Sequence, residues 1–537
     1  MTPTAGGHPG LRRFAPVAVL GAAALAVYAP SLGNGFVWDD HEIIVSNPLT
    51  RHLSSLPVVL SSVDEVVPYY RPLTRASYLF DYQVFGMNPA GFHAVSLAVH
   101  LGAVLAMYWL AALLFQSRAP AFVAALLLAV HPLNAEAVDF IAGRNNLLAT
   151  LFALLSSAML VAATRRGSPW LAIASGVAFL FGLGSKETAF AAFPFLLGWV
   201  LVAKVRGEPR LARWSFLAPH LVALGTYAVA RTLVLRSVPP SIAHREPAGL
   251  AVRLASTAYA VPRYFELAFF PRDLAIFHTV PVGRPALVAA VWLGLAVVVA
   301  LVLARPSAGA VAGLCWLGLN LIPLANILPV PTTSLVAERY FYAPGVGLWL
   351  LVADGARRLA DRVGWRPVGA GIALVAIGLG LRTIGRTREW RDDLSLAGSA
   401  VRAEPRSPEA HFNLGTMLQI GGDLDAARAE WEEALNLDPH DALAITAVAA
   451  ADAVKGDLAS AEAGLRRALA LDPRIAIAHY DLARICDRTG RPQEAVAEYE
   501  AFLRYTRVRA EANFAARAQA RLTALGAGTR GGSGPAR

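Results

Sequence analysis

Apolar runs dominate the first two-thirds of this chain. Each is close to the ~20 residues a helix needs to cross a bilayer. They fall at 14–32, 92–115, 119–135, 147–163, 170–185, 188–203, 214–235, 285–304, 308–328, 340–356 and 367–383, and predict about 11 spans in an all-α membrane domain over 1–383. A further segment, 251–270, is interrupted by Pro262, Arg263 and Glu266 and reads as a hairpin or an interfacial helix rather than a span. The status of 251–284 sets the topology of everything after it.

From residue 405 the texture changes to Ala, Glu, Arg and Leu. Pro405, Pro439 and Pro473 open three copies of a 34-residue repeat, with Gly422, Gly456 and Gly490 in register and Ala427, Ala461 and Ala495 likewise. Small residues let paired helices pack closely, and Gly and Pro mark the turns; this is the tetratricopeptide period. The reading is a linker at 384–404, a short repeat solenoid at 405–506, a capping helix at 507–525 that covers its apolar end, and a disordered tail at 526–537. Such repeats bind peptides or proteins and do no chemistry.

Composition agrees with a membrane protein. Hydrophobic residues make up 56% and charged residues 16%, where soluble domains carry about 25% charged, and the mean hydropathy is +0.48. The net charge of +10 resembles a nucleic-acid signal until it is located. Much of it lies in short loops, at Arg12 and Arg13, Arg118, Arg165 and Arg166, "KVRGEPRLAR", Arg305 and "ARRLADRVGWR", where Lys and Arg set membrane orientation. No nucleic-acid partner is expected. Cys315 and Cys486 offer no disulfide framework. The run after Arg13 is long and many more follow, so it reads as a retained helix rather than a cleaved signal.

If 251–270 does not reverse the topology, every basic loop falls on the cytoplasmic side. The N-terminus is then cytoplasmic, in a plasma (inner) membrane protein whose repeats are extracytoplasmic. The loop 31–91, "HPLNAEAVDFIAGRNN" (131–146), "SKE" (185–187), the 236–284 region and "PTTSLVAERYFYAP" (331–344) collect on the other face. These hold His, Asp, Glu, Asn, Arg and Tyr together, and polar clusters at a membrane edge suggest a site. Asp39 and Asp40 follow Trp38 there, although acids after a Gly33-Asn34-Gly35 turn also suit a helix start. Arg71 and Arg144 have the fork that suits phosphate. His131 and Glu136, Lys186 with Glu187, and Glu338 and Arg339 with Tyr342 are further substrate-binding candidates. The spacing of His131 and Glu136 is not that of a helical metal pair, and Gly-rich phosphate loops are absent.

The ordered set "FVWDDHEIIVSNP", "YYRPLTRASYLF", "HPLNAEAVDFIAGRNNLLAT", "SKETAF" and "AERYFYAPGVG", followed by the repeats, resembles the transmembrane and tetratricopeptide repeat-containing O-mannosyltransferases and their bacterial relatives. The resemblance covers nearly the whole membrane half. It implies a GT-C type glycosyltransferase using a polyprenyl-phosphate sugar, with Asp39 and Asp40 as the acidic catalytic motif and Asp39 as base. Phe341 stands where the family motif has Leu, and the repeats are fewer than in animal members. A polyprenyl phosphate is already a good leaving group. One carboxylate therefore suffices to take the proton of an attacking hydroxyl, with inversion at C1, while Arg71, Arg144, Lys186 and Arg339 are available to the phosphate. Asp40 orients the acceptor or holds a cation. The scheme needs no cofactor and no metal, and leaves a divalent cation open. Partners are membrane lipid, the lipid-linked sugar, and a protein or peptide on the repeats. Two rivals remain: a non-catalytic membrane-anchored scaffold for envelope assembly, and a lipid-linked sugar transporter or ligase, although the paired interrupted segments of a transporter are not evident.

Overall fold

The structure, a computed structural model, describes residues 11–63, 69–208, 211–236, 250–278, 285–324, 336–506 and 512–526. It divides into two compact units, 1–392 and 393–537. All regular elements among the described residues are helical.

The first unit contains α1 (Leu11–Tyr28), α2 (Leu56–Ser61), α3 (Pro72–Phe85), α4 (Pro89–Phe115), α5 (Arg118–Val130), α6 (Ala135–Asp139), α7 (Arg144–Arg166), α8 (Pro169–Ser185), α9 (Ala192–Val205), α10 (Ala218–Leu235), α11 (Leu250–Phe269), α12 (Pro285–Ala304), α13 (Ala308–Leu324), α14 (Tyr342–Val363) and α15 (Trp365–Glu389). α5 is buried along almost its whole length and forms the centre of the bundle, with α1, α4, α14 and α15 packed around it. α13 and α14 cross at glycines: a Cβ on Gly347 would stand 2.4 Å from the Leu317 nitrogen and 2.5 Å from the Gly313 carbonyl. Small residues allow this backbone approach in a setting where apolar burial alone does not drive helices together.

Each predicted apolar run falls on helix where it is described, with 325–328 of the run 308–328 outside the described residues. Among the described residues seven helices, fewer than the expected 11, are long and apolar enough to cross a membrane, or up to eight if α5 and the segment 132–139, bent by 55° at His131, count as one. α8 and α13 are apolar but, at 17 residues each, reach only about 26 Å. α14 runs on to Val363 and carries Asp354, Arg357, Arg358 and Asp361, which pair with one another. The chain is an integral membrane protein. Segment 251–270 is one continuous helix rather than a hairpin: α11 runs through Pro262 without a break, with Val261, Tyr264, Phe265 and Ala268 buried in the bundle.

The second unit begins earlier than the repeats. α16 (Asp393–Ala403) packs on α17 (Pro408–Ile420), so the expected linker is helical, first as the end of α15 and then as α16. The repeat pairs are α17 with α18 (Leu424–Leu437), α19 (Ala442–Lys455) with α20 (Leu458–Leu471), and α21 (Ala476–Arg488) with α22 (Pro492–Tyr505). The in-register glycines Gly422, Gly456 and Gly490 all have φ between 75° and 93°, the left-handed turn for which Gly has no steric penalty. The capping helix is α23 (Ala512–Ala524), whose Ala518 and Leu522 close the core. The tail beyond Gly526 lies outside the described residues.

Candidate active site

The loop after α1 is stitched to the bundle. Asn34 Nδ2 donates to the Thr387 carbonyl at 3.0 Å, Gly35 N–H to the Arg391 carbonyl at 2.9 Å, and His93 Nε2 lies 3.2 Å from the Gly35 carbonyl. Trp38 then adopts φ 52°, a left-handed conformation that costs a residue with a Cβ about 1–2 kcal/mol. Its indole stacks on Phe140 at 5.5 Å and meets Phe277 edge-on at 5.6 Å. This packing holds the strained turn, which sends the next two acids in opposite directions. Asp40 is buried: Oδ1 accepts from Ala142 N–H at 2.7 Å and Oδ2 from Val37 N–H at 3.2 Å. Asp39 is exposed. Surrounding protein still raises its pKa above the usual carboxylate value, and Arg339 opposes that rise. For Asp40 burial is the larger effect and pushes the carboxyl to about 7, against the pull of its two amide donors.

Three cations from distant segments form a linked group, and Arg339 is the one whose charge reaches Asp39. Arg339 is held by Glu136, whose carboxylate accepts both from the Arg339 guanidinium and from its N–H at 2.8 Å; the guanidinium also lies over Trp38 at 5.4 Å and Tyr340 at 4.9 Å. Lys186 Nζ donates to Asn146 Oδ1 at 2.6 Å and lies 4.8 Å over the Tyr340 ring. Burial first, then the neighbouring Arg71, lowers the Lys186 amine to about 7. Arg71 forms a two-pronged bridge to Glu187, at 3.1 and 2.8 Å, beneath the Tyr69 ring. Asp39, Arg71, Glu136, Lys186, Glu187 and Arg339 thus form one electrostatic group, as the mutual influence of their charges records. An open carboxylate beside fixed cations can accept a proton while an anion departs.

Four of the sequence candidates do not join it. Arg144 is fully buried and spends its guanidinium on Asp81 at 2.5 Å, Ser96, Ser77 and the Phe92 carbonyl. It locks the 140–144 turn that presents the Ala142 amide to Asp40, and has no fork left for a phosphate. His131 is also committed, with Nε2 2.9 Å from the Ala268 carbonyl and Nδ1 accepting from Leu133 N–H at 3.2 Å. The Tyr342 hydroxyl meets His100 Nδ1 at 2.8 Å inside the bundle. Glu338 points away from its neighbour Arg339, inward to Arg386 at 3.2 Å and His278 at 3.4 Å. The bundle takes up the polar atoms of Arg144, His131 and Tyr342, while Glu338 keeps a buried Oε2 without a hydrogen-bond partner among the described residues.

Residues 76–232 match the family model described as dolichyl-phosphate-mannose-protein mannosyltransferase, and 408–441 and 449–512 match tetratricopeptide repeat models. Similar proteins include protein O-mannosyl-transferase F38B6.6 of Caenorhabditis elegans, 26% identical over 447 residues that cover 78% of this chain and 62% of that one. Human protein O-mannosyl-transferase TMTC1 is 26% identical over 506 residues, covering 81% of this chain and 57% of that one. The chain is similar to the transmembrane and tetratricopeptide repeat-containing O-mannosyltransferases in both its membrane half and its repeats. It spans 62% and 57% of these relatives' lengths, well short of either whole protein. Among solved structures, ArnT from Cupriavidus metallidurans is 18% identical, with 87% of this chain and 80% of that one covered at a TM-score of 0.43. The Archaeoglobus fulgidus oligosaccharyltransferase is 14% identical, with 70% and 56% covered at a TM-score of 0.43.

In this O-mannosyltransferase relative, several residues that build the site were not singled out from sequence. Asn146 positions Lys186, Tyr340 underlies two cations, and Asp81 neutralises Arg144. Asn146 and Tyr340 lie inside the quoted motifs and were hidden by their charged neighbours. Asp81 sits mid-helix in α3, and no local pattern links it to a residue 63 positions away.

Proposed function

We propose that this protein is a glycosyltransferase that moves a sugar from a polyprenyl phosphate to an acceptor hydroxyl on the extracytoplasmic face of the plasma (inner) membrane. Asp39 is the general base. The observation that carries this reading is its exposed carboxylate within reach of the Arg339 charge, with Lys186 and Arg71 linked to Arg339 in the same electrostatic group. As the hydroxyl oxygen bonds to the sugar C1, the C1–O bond to phosphate breaks, Asp39 takes the hydroxyl proton, and the polyprenyl phosphate leaves with the bonding pair. A single displacement inverts the anomeric centre. Lys186 and Arg339 face the charge that gathers on the departing phosphate, and Arg71 fixes the wall through Glu187. Asp40 holds the loop, so the orientation of Asp39 depends on it. The relatives' names make mannose the first sugar to test. The repeats supply the surface for a protein acceptor or partner, and the N-terminus is cytoplasmic.

The test is Asp39→Asn in purified full-length protein, assayed with a panel of polyprenyl-phosphate sugars, with and without a chelator. Transfer should fall about 10²–10⁴-fold with the melting temperature unchanged, and the chelator should have no effect. Unchanged transfer would remove Asp39 as base, and activity at background with every donor would favour a non-catalytic scaffold.

A further inference from the structure

The end of the bundle opposite Asp39 carries a polar depression open to the surface. α4 starts beside the Asp39 loop, where His93 meets Gly35, and ends at Phe115; α5 returns from Arg118 towards His131; α7 runs from Arg144 to Arg166. The 27 residues of α4 put its far end about 40 Å from the site. There an open depression of about 560 Å³ is lined by Ala112, Gln116, Ser117, Arg118 and Arg165, with Gln116, Ser117 and Arg118 exposed.

Its polar groups are unspent. Among the described residues none of the Gln116, Ser117, Arg118 and Arg165 side chains has a hydrogen-bond or ion-pair partner in the protein. Arg165 rests on the Trp199 ring at 5.8 Å, and Glu208 is the acid whose charge reaches it. Gln116 holds a left-handed φ of 51°, which turns the chain from α4 into α5. Ser117 does not cap α5, so the first-turn amides of that helix add positive potential to that of Arg118. Two guanidiniums, two neutral hydrogen-bonding side chains and a helix start form a receptor for an anion with several oxygens.

The surroundings say which anion. The exposed Trp170 at the start of α8, Trp214 just before α10, and Trp365 at the start of α15 ring this same end. Tryptophans gather at headgroup depth in a bilayer, and basic pockets between membrane helices take lipid head groups. We propose that this depression binds the phosphate of an anionic phospholipid, with Arg118 and Arg165 as its counter-charges and Gln116 and Ser117 as hydrogen-bond donors.

The test uses the full-length protein in nanodiscs of phosphatidylcholine alone or with phosphatidylglycerol. The readouts are the melting temperature and, by native mass spectrometry, the phosphatidylglycerol retained. The Arg118→Gln/Arg165→Gln variant is compared with wild type and with Arg362→Gln, which removes an exposed arginine at the same end outside the depression. Phosphatidylglycerol should stabilise wild type and Arg362→Gln, and the double variant should retain it about thirtyfold more weakly, at roughly a fivefold loss for each of two arginines. Its melting temperature in phosphatidylcholine should match wild type, which shows that it folds. Retention by the double variant equal to wild type would overturn the site. So would an equal loss in Arg362→Gln, which would reduce the effect to net charge. A third arm adds inorganic phosphate to phosphatidylcholine nanodiscs; stabilisation there equal to that by phosphatidylglycerol would make the ligand a soluble anion and overturn the lipid assignment.

Discussion

Asp39 and Asp40 are adjacent in sequence yet should fail in different ways when removed. Asp40→Ala strips the acceptors from the Ala142 and Val37 amides, and each buried amide left unpaired costs about 1–3 kcal/mol. Its melting temperature should drop together with transfer, whereas Asp39→Ala should lose transfer at an unchanged melting temperature. Calorimetry and transfer assays on the same preparations check this, and equal melting losses would make Asp39 part of the framework. The pH dependence separates them further. The folded state raises the Asp40 carboxyl from 3.8 to about 7 and so binds its proton more tightly than the unfolded chain does. Stability from this group is therefore full below about pH 4 and is lost as pH rises through 7; Asp40→Asn should flatten that part of a melting-temperature profile. Asp39 must be ionised to act, so activity falls as pH drops through its raised pKa. Arg339 opposes that rise. An Arg339→Gln/Glu136→Gln pair, which avoids leaving Glu136 buried without its partner, should move the acid limb of kcat/KM to higher pH. A limb that moves down or stays would separate Asp39 from Arg339. The sequence showed which segments hold the chemistry but not which way each side chain turns. Arg144 and Lys186 occupy similar positions at helix ends, yet one is consumed by Asp81 and the other joins the group of Arg71, Glu187, Glu136 and Arg339.

Elements were more legible than directions, because hydrophobic runs and a 34-residue repeat are averages over many side chains. The helix breaks were not: α5 stops at His131 where Pro132 follows, and α16 escaped notice because the stretch from 384 to 404 lacks the repeat's markers. Inside the repeats one device recurs. His479 places Nδ1 2.5 Å from Glu498 and Nε2 3.0 Å from the Pro473 carbonyl, and His411 faces Glu430 and the Pro405 carbonyl in the same way, at 2.7 and 3.1 Å. Both partners of His479 only accept, so the ring must donate from both nitrogens and carry charge. Its pKa is raised accordingly: burial opposes the charge, and Glu498 and the Pro473 carbonyl outweigh it. The stabilisation is therefore present below the ordinary histidine pKa and is lost as pH rises through the higher folded value. Hydrogen-exchange protection across α21 and α22 in the full-length protein, corrected for the intrinsic pH dependence of amide exchange, should fall over that window in wild type and lose the dependence in His479→Gln. Protection that stays flat in wild type would show that the pair does not hold the repeat together.

At the scale of the whole molecule, the membrane unit has its own core and contains every residue of the candidate site, while the repeats form a second compact unit. Chemistry and recruitment are therefore separable by cutting the chain, provided the cut respects the structure. A cut at 405, where the repeats begin in sequence, would leave α16 without α17. Its buried Leu396, Ala397 and Ala400 would then be exposed. The cut belongs after Asp392, which also spares the Arg391 carbonyl that receives the Gly35 amide and anchors the Asp39 loop. Protein 1–392 should keep slow hydrolysis of the polyprenyl-phosphate sugar, in which water replaces the acceptor, close to the full-length rate. Transfer to a protein acceptor should fall at least tenfold, mainly through a higher KM, because tethering supplies effective concentration rather than catalytic groups. Equal loss of hydrolysis and transfer would mean that the repeats support the catalytic loop itself. A reporter fused after residue 400 adds the remaining constraint, since an arm that presents acceptors to Asp39 must lie on the same side of the membrane as Asp39. A cytoplasmic reporter alongside extracytoplasmic labelling of an engineered cysteine at Leu32 would exclude recruitment by the repeats while leaving the chemistry of Asp39 intact.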